Sequence, residues 1–345
     1  MQICAFLEQV VLGKSFFTKL QILRYRLMGI EQYVIDPDRE YGKLAENVDG
    51  VVLKLGPTAN TFINVLDIRE ESIEDNSGYL ATKIGRLIAF FNLIFGNLNE
   101  EEKAILEEKL IETYKEKGIT FDDKTLYKNN KFKATYDMPK LEDLYKVLGK
   151  DKKTKSMQTK LIPFVKGSLK FFNEYTSIKL ENKLIVADIY DLGEENIKYG
   201  MYIFIELFFD KIKKDRSIRK AIYMDEIWQL IGITANKEVA SFIYKIFKTI
   251  RKYGGSSIAI TQDISDLFSL DDGVYGKSIL NNSSIKTFFS LEEENILILS
   301  QYTNLSEKEK IEIRSLKRGE CLMFAGEEHM LTKIECSDFE KNLIS

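Results

Sequence analysis

The chain has 345 residues, enough for one large domain or two modest ones, with a net charge of −3 and a pI near 5.7, so no global basic field points to nucleic acid. Its single histidine, His329, rules out His-clustered metal sites, and the widely spaced Cys4, Cys321 and Cys336 form neither a disulfide framework nor a zinc knuckle. No apolar run approaches the ~20 residues of a membrane span and the N-terminus lacks the basic region and cleavage site of a signal peptide, so an intracellular, soluble chain is expected.

In chain order, Gly13-Lys14-Ser15 opens an amphipathic helical run over 14–28, as a nucleotide-binding loop enters its helix. The glycine such a loop carries five places earlier is Glu8 here, and Val10, Val11 and Leu12 suit a phosphate-cradling backbone poorly. Apolar runs of strand length follow at 32–36, 184–189, 220–225, 256–261 and 285–291, each consistent with a strand buried on both faces. Helical stretches at 196–214 and 236–253 alternate with them, which predicts βαβ units and an α/β fold with a doubly wound, mainly parallel sheet. Between 76 and 165 the texture is helical, and "NEEE" at 99–102 reads as a helix start. The charged stretch 150–160 reads as a solvated connection or another helix start. The expected division is therefore a core over 1–75 and 166–345, interrupted by an all-helical insertion at 76–165.

The chemistry gathers at strand ends. "KAIYMDEIWQLI" (220–231) closes an apolar strand with Asp225 and Glu226. In a P-loop ATPase the first of these acids holds Mg²⁺, usually through water, and the second deprotonates the attacking water. A solvated strand end is the plainer alternative. "GGSSIAITQDISD" (254–266) repeats the pattern and offers Gln262 as a γ-phosphate sensor or water holder, against a simple strand-end cap. Arg251, in "KTIRKYGG", can serve as an arginine finger towards a neighbouring subunit, whereas Lys252 reads as a cation favoured at a helix C-terminus. Asp36, Asp38 and Glu40 form an acidic turn in which some residues face the nucleotide site, or Asp38 caps the next helix.

"YVIDPDREYGKL", "TFINVLDI", "MPKLEDLYKVL", "KAIYMDEIW", "RKYGGSSIAITQD", "ILNNSSIKTFFSL" and "RGECLMFAG" together resemble the C-terminal ATPase domain of the VirB4 family of conjugation and type IV secretion ATPases, in its Gram-positive conjugative-element branch. The resemblance runs from about Gly13 to the C-terminus. It implies a RecA-like core with a helical subdomain, ATP and Mg²⁺ as cofactors, and a hexameric ring when active. It also implies a place at the cytoplasmic face of the membrane, beside other type IV secretion channel components and inner-membrane proteins. By matching segments it assigns Gly13, Lys14 and Ser15 to phosphate and Mg²⁺ binding, Asp225 to Mg²⁺, Glu226 to the base and Gln262 to sensing. Likeness of "RKYGG" to conjugative coupling proteins supports Arg251 as the finger. Two other readings stay open: a DNA-pumping translocase of the coupling-protein or HerA–FtsK kind, and a scaffolding domain that no longer turns over ATP. DNA contact is compatible with a ring whose pore is basic, although net charge does not indicate it.

The family's loops are GxxGxGKS-like, and this chain departs from them. One permitted set of codons for residues 1–15, read two nucleotides later, gives ANMCIFGTSGAGK, an apolar strand running into a full P-loop. The expectation is that residues 1–12 are a frame-shifted reading of an ordinary loop, while Ile3 to Leu7 can still pair as the first strand.

Overall fold

Runs such as LIVAD and KAIYM bury every residue, and strands of that kind are stable only with neighbours on both edges and helices on both faces. The computed structural model describes residues 13–72, 78–232, 235–262 and 264–344, together with the backbone of 3–7. Its strands are β1 (Ile3–Leu7), β2 (Glu31–Asp36), β3 (Val51–Lys54), β4 (Tyr127–Lys128), β5 (Lys131–Phe132), β6 (Leu184–Asp188), β7 (Lys220–Met224), β8 (Gly255–Thr261), β9 (Ile285–Phe288), β10 (Glu320–Ala325) and β11 (Glu328–Lys333). Nine of them form one sheet in the order β11-β10-β9-β1-β8-β7-β2-β6-β3. From β9 through β6 the pairing is parallel, while β10 lies antiparallel against β9 and β11 against β10. This is a RecA-like α/β fold. The backbone of Ile3–Leu7 pairs with both β8 and β9, as expected; residues 8–12, which carry the departure from a glycine-rich loop, lie outside the described residues.

By its internal contacts the chain divides into two units, one of residues 1–53, 180–190 and 214–345, the other of 54–179 and 191–213. In the first, Val34, Val186, Ala221, Tyr223, Ile258 and Ile260 from the sheet pack with Ile22 and Leu23 of the Lys14–Leu27 helix and Leu44 of the Gly42–Asn47 helix. Burial of each such valine, leucine or isoleucine side chain is worth roughly 1.5–3 kcal/mol. Ile344 of the Asp338–Ile344 helix enters the same core, and Arg24 Nε donates to Glu340 Oε1 at 2.9 Å.

The second unit is wider than the expected 76–165 insertion and is not wholly helical, since β4 and β5 form a small hairpin in it. What widens it is a buried ion cluster. On the Glu194–Lys214 helix, Asp210 accepts from Arg86 at 2.8 Å, Arg69 at 2.7 Å and Lys213 at 3.0 Å, and Glu206 accepts from Lys83 at 2.7 Å. Burial opposes the charge of Asp210, but Arg86, Arg69 and Lys213 outweigh it and hold the carboxyl far below its ordinary range. Before the helices, Asp67 accepts from Thr135 and Thr176, which ties residue 67 to residue 176. Within the unit, Asn99 caps the Glu100–Glu116 helix with a full capping box, as "NEEE" predicts. The 150–160 stretch contains the Lys155–Lys160 helix. Asp210→Ala should cost about 3–5 kcal/mol, because removing one partner strands buried cations; the loss is read as a lowered urea midpoint. A change under about 1 kcal/mol, the scale of an exposed pair, would mean that the cluster is solvated in solution.

No helix among the described residues is long and apolar enough to cross a membrane. Cys321 is a buried free thiol and Cys336 a half-buried one. His329 stacks on Phe324 and approaches Glu309 at 2.5 Å.

Candidate functional site

Ligands of open parallel sheets bind in the crevice beyond the carboxyl ends of the strands, and there the first unit gathers Lys14, Ser15, Asp36, Asp188, Asp225 and Glu226, all buried. Gly13 caps the Lys14–Leu27 helix, whose first turn is tightened by Phe17 N–H donating to Gly13 O at 2.8 Å and Thr18 Oγ1 to Lys14 O at 2.9 Å. Lys14 and Ser15 are 6% and 7% exposed, although neither is a core residue by chemistry. Strand β7 ends at Met224, one residue short of the expected bound, so Asp225 and Glu226 stand in the turn beyond it at 1% and 3% exposure. Their burial excludes the solvated-strand-end alternative.

Lys14 Nζ lies 2.5 Å from Glu226 Oε1 and 3.3 Å from Asp225 Oδ1. Burial alone would lower the lysine's pKa, but the charges of Asp225 and Glu226 raise it well above its ordinary value. For Glu226, burial is the largest influence and lifts the carboxyl to about 7, helped by Asp225 and opposed by Lys14. Glu226 also has a φ of +49°, a costly conformation for a side-chain-bearing residue that its surroundings must impose. Its Oε2 accepts from Trp228 Nε1 at 2.6 Å. Gln262 follows directly on β8, at the same sheet end, with its residue exposed; Ile227 N–H donates to Ile260 O at 3.2 Å and binds that end of β8 to the acid turn.

The acidic turn belongs to the same site. Register pairs Asp36 of β2 with Asp188 of β6, and Ile35 with Met224 of β7, so Asp188, Asp36 and Asp225 follow one another across three adjacent strand ends. Asp36 accepts from the backbone N–H of Glu40 at 2.9 Å and of Tyr41 at 3.0 Å. Burial lifts its carboxyl to about 7, with the Tyr41 and Glu40 amides opposing and the neighbouring Asp225 and Asp188 reinforcing. Tyr41, fully buried, donates its hydroxyl to Asp225 Oδ2 at 2.7 Å. Asp38 is not the cap of the Gly42–Asn47 helix, whose N-cap is Tyr41 without a side-chain bond. Asp38 is exposed; partial burial of its carboxyl raises its pKa, with Asp225 raising it further and Lys14 pulling it down.

Arg251 is not part of this constellation. It lies in the turn before β8, where Lys220 pairs with Gly255, while the acid pair lies beyond Met224 and Ala259. Seven strand residues separate the two ends, roughly 20 Å at ~3.3 Å per residue. Arg251 instead lines a cavity of about 480 Å³ with Tyr25, Met28, Ile30, Arg219 and Lys220. Gly254, at φ +71°, makes the turn into β8, and a Cβ there would meet Arg216 O at 2.9 Å. Tyr41 and Trp228 join the site without having been expected there, although both stand inside the motif segments. An aromatic residue within an otherwise polar turn is the signal that could have marked them.

The donor set fits a magnesium nucleotide: a helix N-terminus and a buried lysine for phosphate, and a serine with an aspartate for the metal.

A family model described as the TraG P-loop domain matches residues 7–328. Protein TraC of Escherichia coli (strain K12) is 26% identical over 272 residues, 73% of this chain. The aligned part is only 28% of TraC's length. The solved structure of VirB4 of Thermoanaerobacter pseudethanolicus is 28% identical, with a TM-score of 0.89 over 98% of this chain and 90% of that one. Plasmid coupling protein TrwB in complex with ADP and Mg²⁺ is 12% identical with a TM-score of 0.61, covering 97% and 86% of the two chains, a likeness of fold alone.

Proposed function

Because the chain belongs to the TraG P-loop domain family and is of the VirB4 type, we propose that it hydrolyses Mg-ATP to power assembly of, or substrate transfer through, a conjugative type IV secretion system. The observation that carries the reading is Lys14 at a helix N-terminus, 2.5 Å from Glu226 and 3.3 Å from Asp225, beyond the carboxyl ends of parallel strands. In this role Lys14 and the first helical N–H groups bind the phosphates, as helix N-termini attract anions. Ser15 and Asp225 hold Mg²⁺, which neutralises developing phosphoryl charge when bound. Glu226 takes the proton of the attacking water, and a carboxyl near 7 suits that task at neutral pH. Lys14 must release Glu226 Oε1 for this, and phosphate competes for the same ammonium group. Gln262 senses the γ-phosphate or steadies the water. Arg251, too far from its own Lys14, acts on a neighbour's nucleotide, which requires a ring, hexameric by analogy. Other channel components and inner-membrane proteins are the partners, at the cytoplasmic face of the membrane.

A second reading, a scaffolding domain without turnover, is favoured by one feature: Val10, Val11 and Leu12 where family loops carry glycines. The deciding experiment titrates Mg-ATP into this chain and into one whose residues 1–13 are replaced by ANMCIFGTSGAG. Tight binding and hydrolysis are expected only in the second, with weak anion binding at Lys14 in the first. Equal affinity would make the Val-Val-Leu loop a working variant, and no binding to either would refute the ATPase reading.

A further inference from the structure

We propose that the turn Pro37–Tyr41 is a built-in aligner of the metal-binding acid, with Tyr41 a positioning residue that acts through Asp225. The inference rests on the reading of Asp225 as the Mg²⁺ ligand. Three aspartates stand at adjacent strand ends, and each is held by a different part of the same turn. Asp188, at one flank, accepts Arg39 Nε at 2.7 Å. Asp36, in the middle, accepts the backbone amides of Glu40 and Tyr41. Asp225, at the other flank, accepts the Tyr41 hydroxyl at 2.7 Å. Arg39 also covers the Tyr190 ring at 4.9 Å and has a φ of +58°, so the turn is wound tightly between two anchors.

The consequence is directional. A carboxylate at a strand end can rotate about its own side-chain bonds, yet a metal ligand has to present one chosen oxygen. Tyr41 occupies Oδ2, and Glu226 N–H reaches Oδ1 at 3.0 Å from the other side. Oδ1 is thereby left on the side of Lys14, at 3.3 Å, where phosphate would lie. The tyrosine is fully buried and its hydroxyl donates a hydrogen bond to Asp225; a phenylalanine would fill the same space and release Oδ2, leaving the carboxylate held only through Oδ1. Partners that orient metal ligands in this way are typically worth roughly 10–100-fold in metal affinity or activity.

Two variants and two readouts test it. Tyr41→Phe loses only the donor, and Tyr41→Leu loses donor and ring together. Crystal structures of the full chain without nucleotide read the aligner directly: in both variants the Asp225 carboxylate is expected to rotate so that Oδ2 leaves the place where the Tyr41 hydroxyl holds it. An Asp225 that keeps its place in Tyr41→Phe, or moves only in Tyr41→Leu, would show that the ring merely fills space and would overturn the proposal. The second readout uses the chain carrying ANMCIFGTSGAG. For Tyr41→Phe, the Mg²⁺ concentration giving half-maximal turnover should rise roughly tenfold, with kcat at saturating Mg²⁺ little changed. A fall in kcat at every Mg²⁺ concentration, with no change in Mg²⁺ requirement, would count against alignment. Should the chain with Tyr41 intact fail to turn over ATP, the ATPase reading falls, and the crystal structures still decide what Tyr41 does to Asp225.

Discussion

Glu226→Gln is expected to leave Mg-ATP binding within about threefold and to lower turnover by roughly 10²–10⁴-fold, the usual contribution of a positioned general base. The amide keeps the size and the Trp228 contact of the native side chain but cannot take a proton. Asp225, the proposed Mg²⁺ ligand, is untouched, so binding and chemistry should separate. The measurement is phosphate release beside a nucleotide-binding titration, both in the chain with the glycine-rich loop. Turnover within about tenfold of the parent would remove Glu226 from the base role. The buried Lys14–Glu226 pair would then be a structural ion pair at a strand end.

Arg251→Ala should cost roughly 10³-fold or more in turnover, the scale of other arginine fingers, and only in the assembled oligomer. Arg251 stands at the start of β8 and the acid pair beyond the end of β7, so it cannot serve the nucleotide of its own subunit. Mixing the Arg251→Ala and Glu226→Gln chains should therefore recover part of the activity, because one subunit supplies the finger and its neighbour the base. Normal assembly with no recovery would mean that Arg251 does no more than line its cavity. An equal loss of activity in the monomer would likewise remove Arg251 from the finger role.

Strands β2, β6, β7 and β8 were legible from residues alone, because a strand buried on both faces must be apolar throughout and so leaves an uninterrupted run. The lysine-serine helix start and the acid pair were legible too, since each combines a charge pattern with a strand or helix end. The hairpin β10–β11 was not. β11 is exposed along almost its whole length, and an edge strand without a buried face writes no apolar period into the sequence. The helices of the second unit were legible, but not its reach: Arg69, Arg86 and Asp210 are far apart in the chain, and only folding makes them one cluster. Tyr41 was hidden for a related reason. Nothing in "YVIDPDREYGKL" says that the tyrosine hydroxyl meets Asp225, 184 residues later.

By itself the sequence determined the class of the fold, the alternation of helix and strand, and which short stretches bear the residue types suited to phosphate, metal and proton chemistry. These are local matters, set by the burial period of the side chains and by which functional groups sit at the ends of elements. Tertiary structure alone decided that Lys14 meets both acids, that three aspartates share one row held by a single turn, and that Arg251 stands at the opposite end of the sheet from them. Strand order and register bring together residues that no spacing along the chain relates, and the low-dielectric burial they create is what couples the charges of Lys14, Asp225 and Glu226.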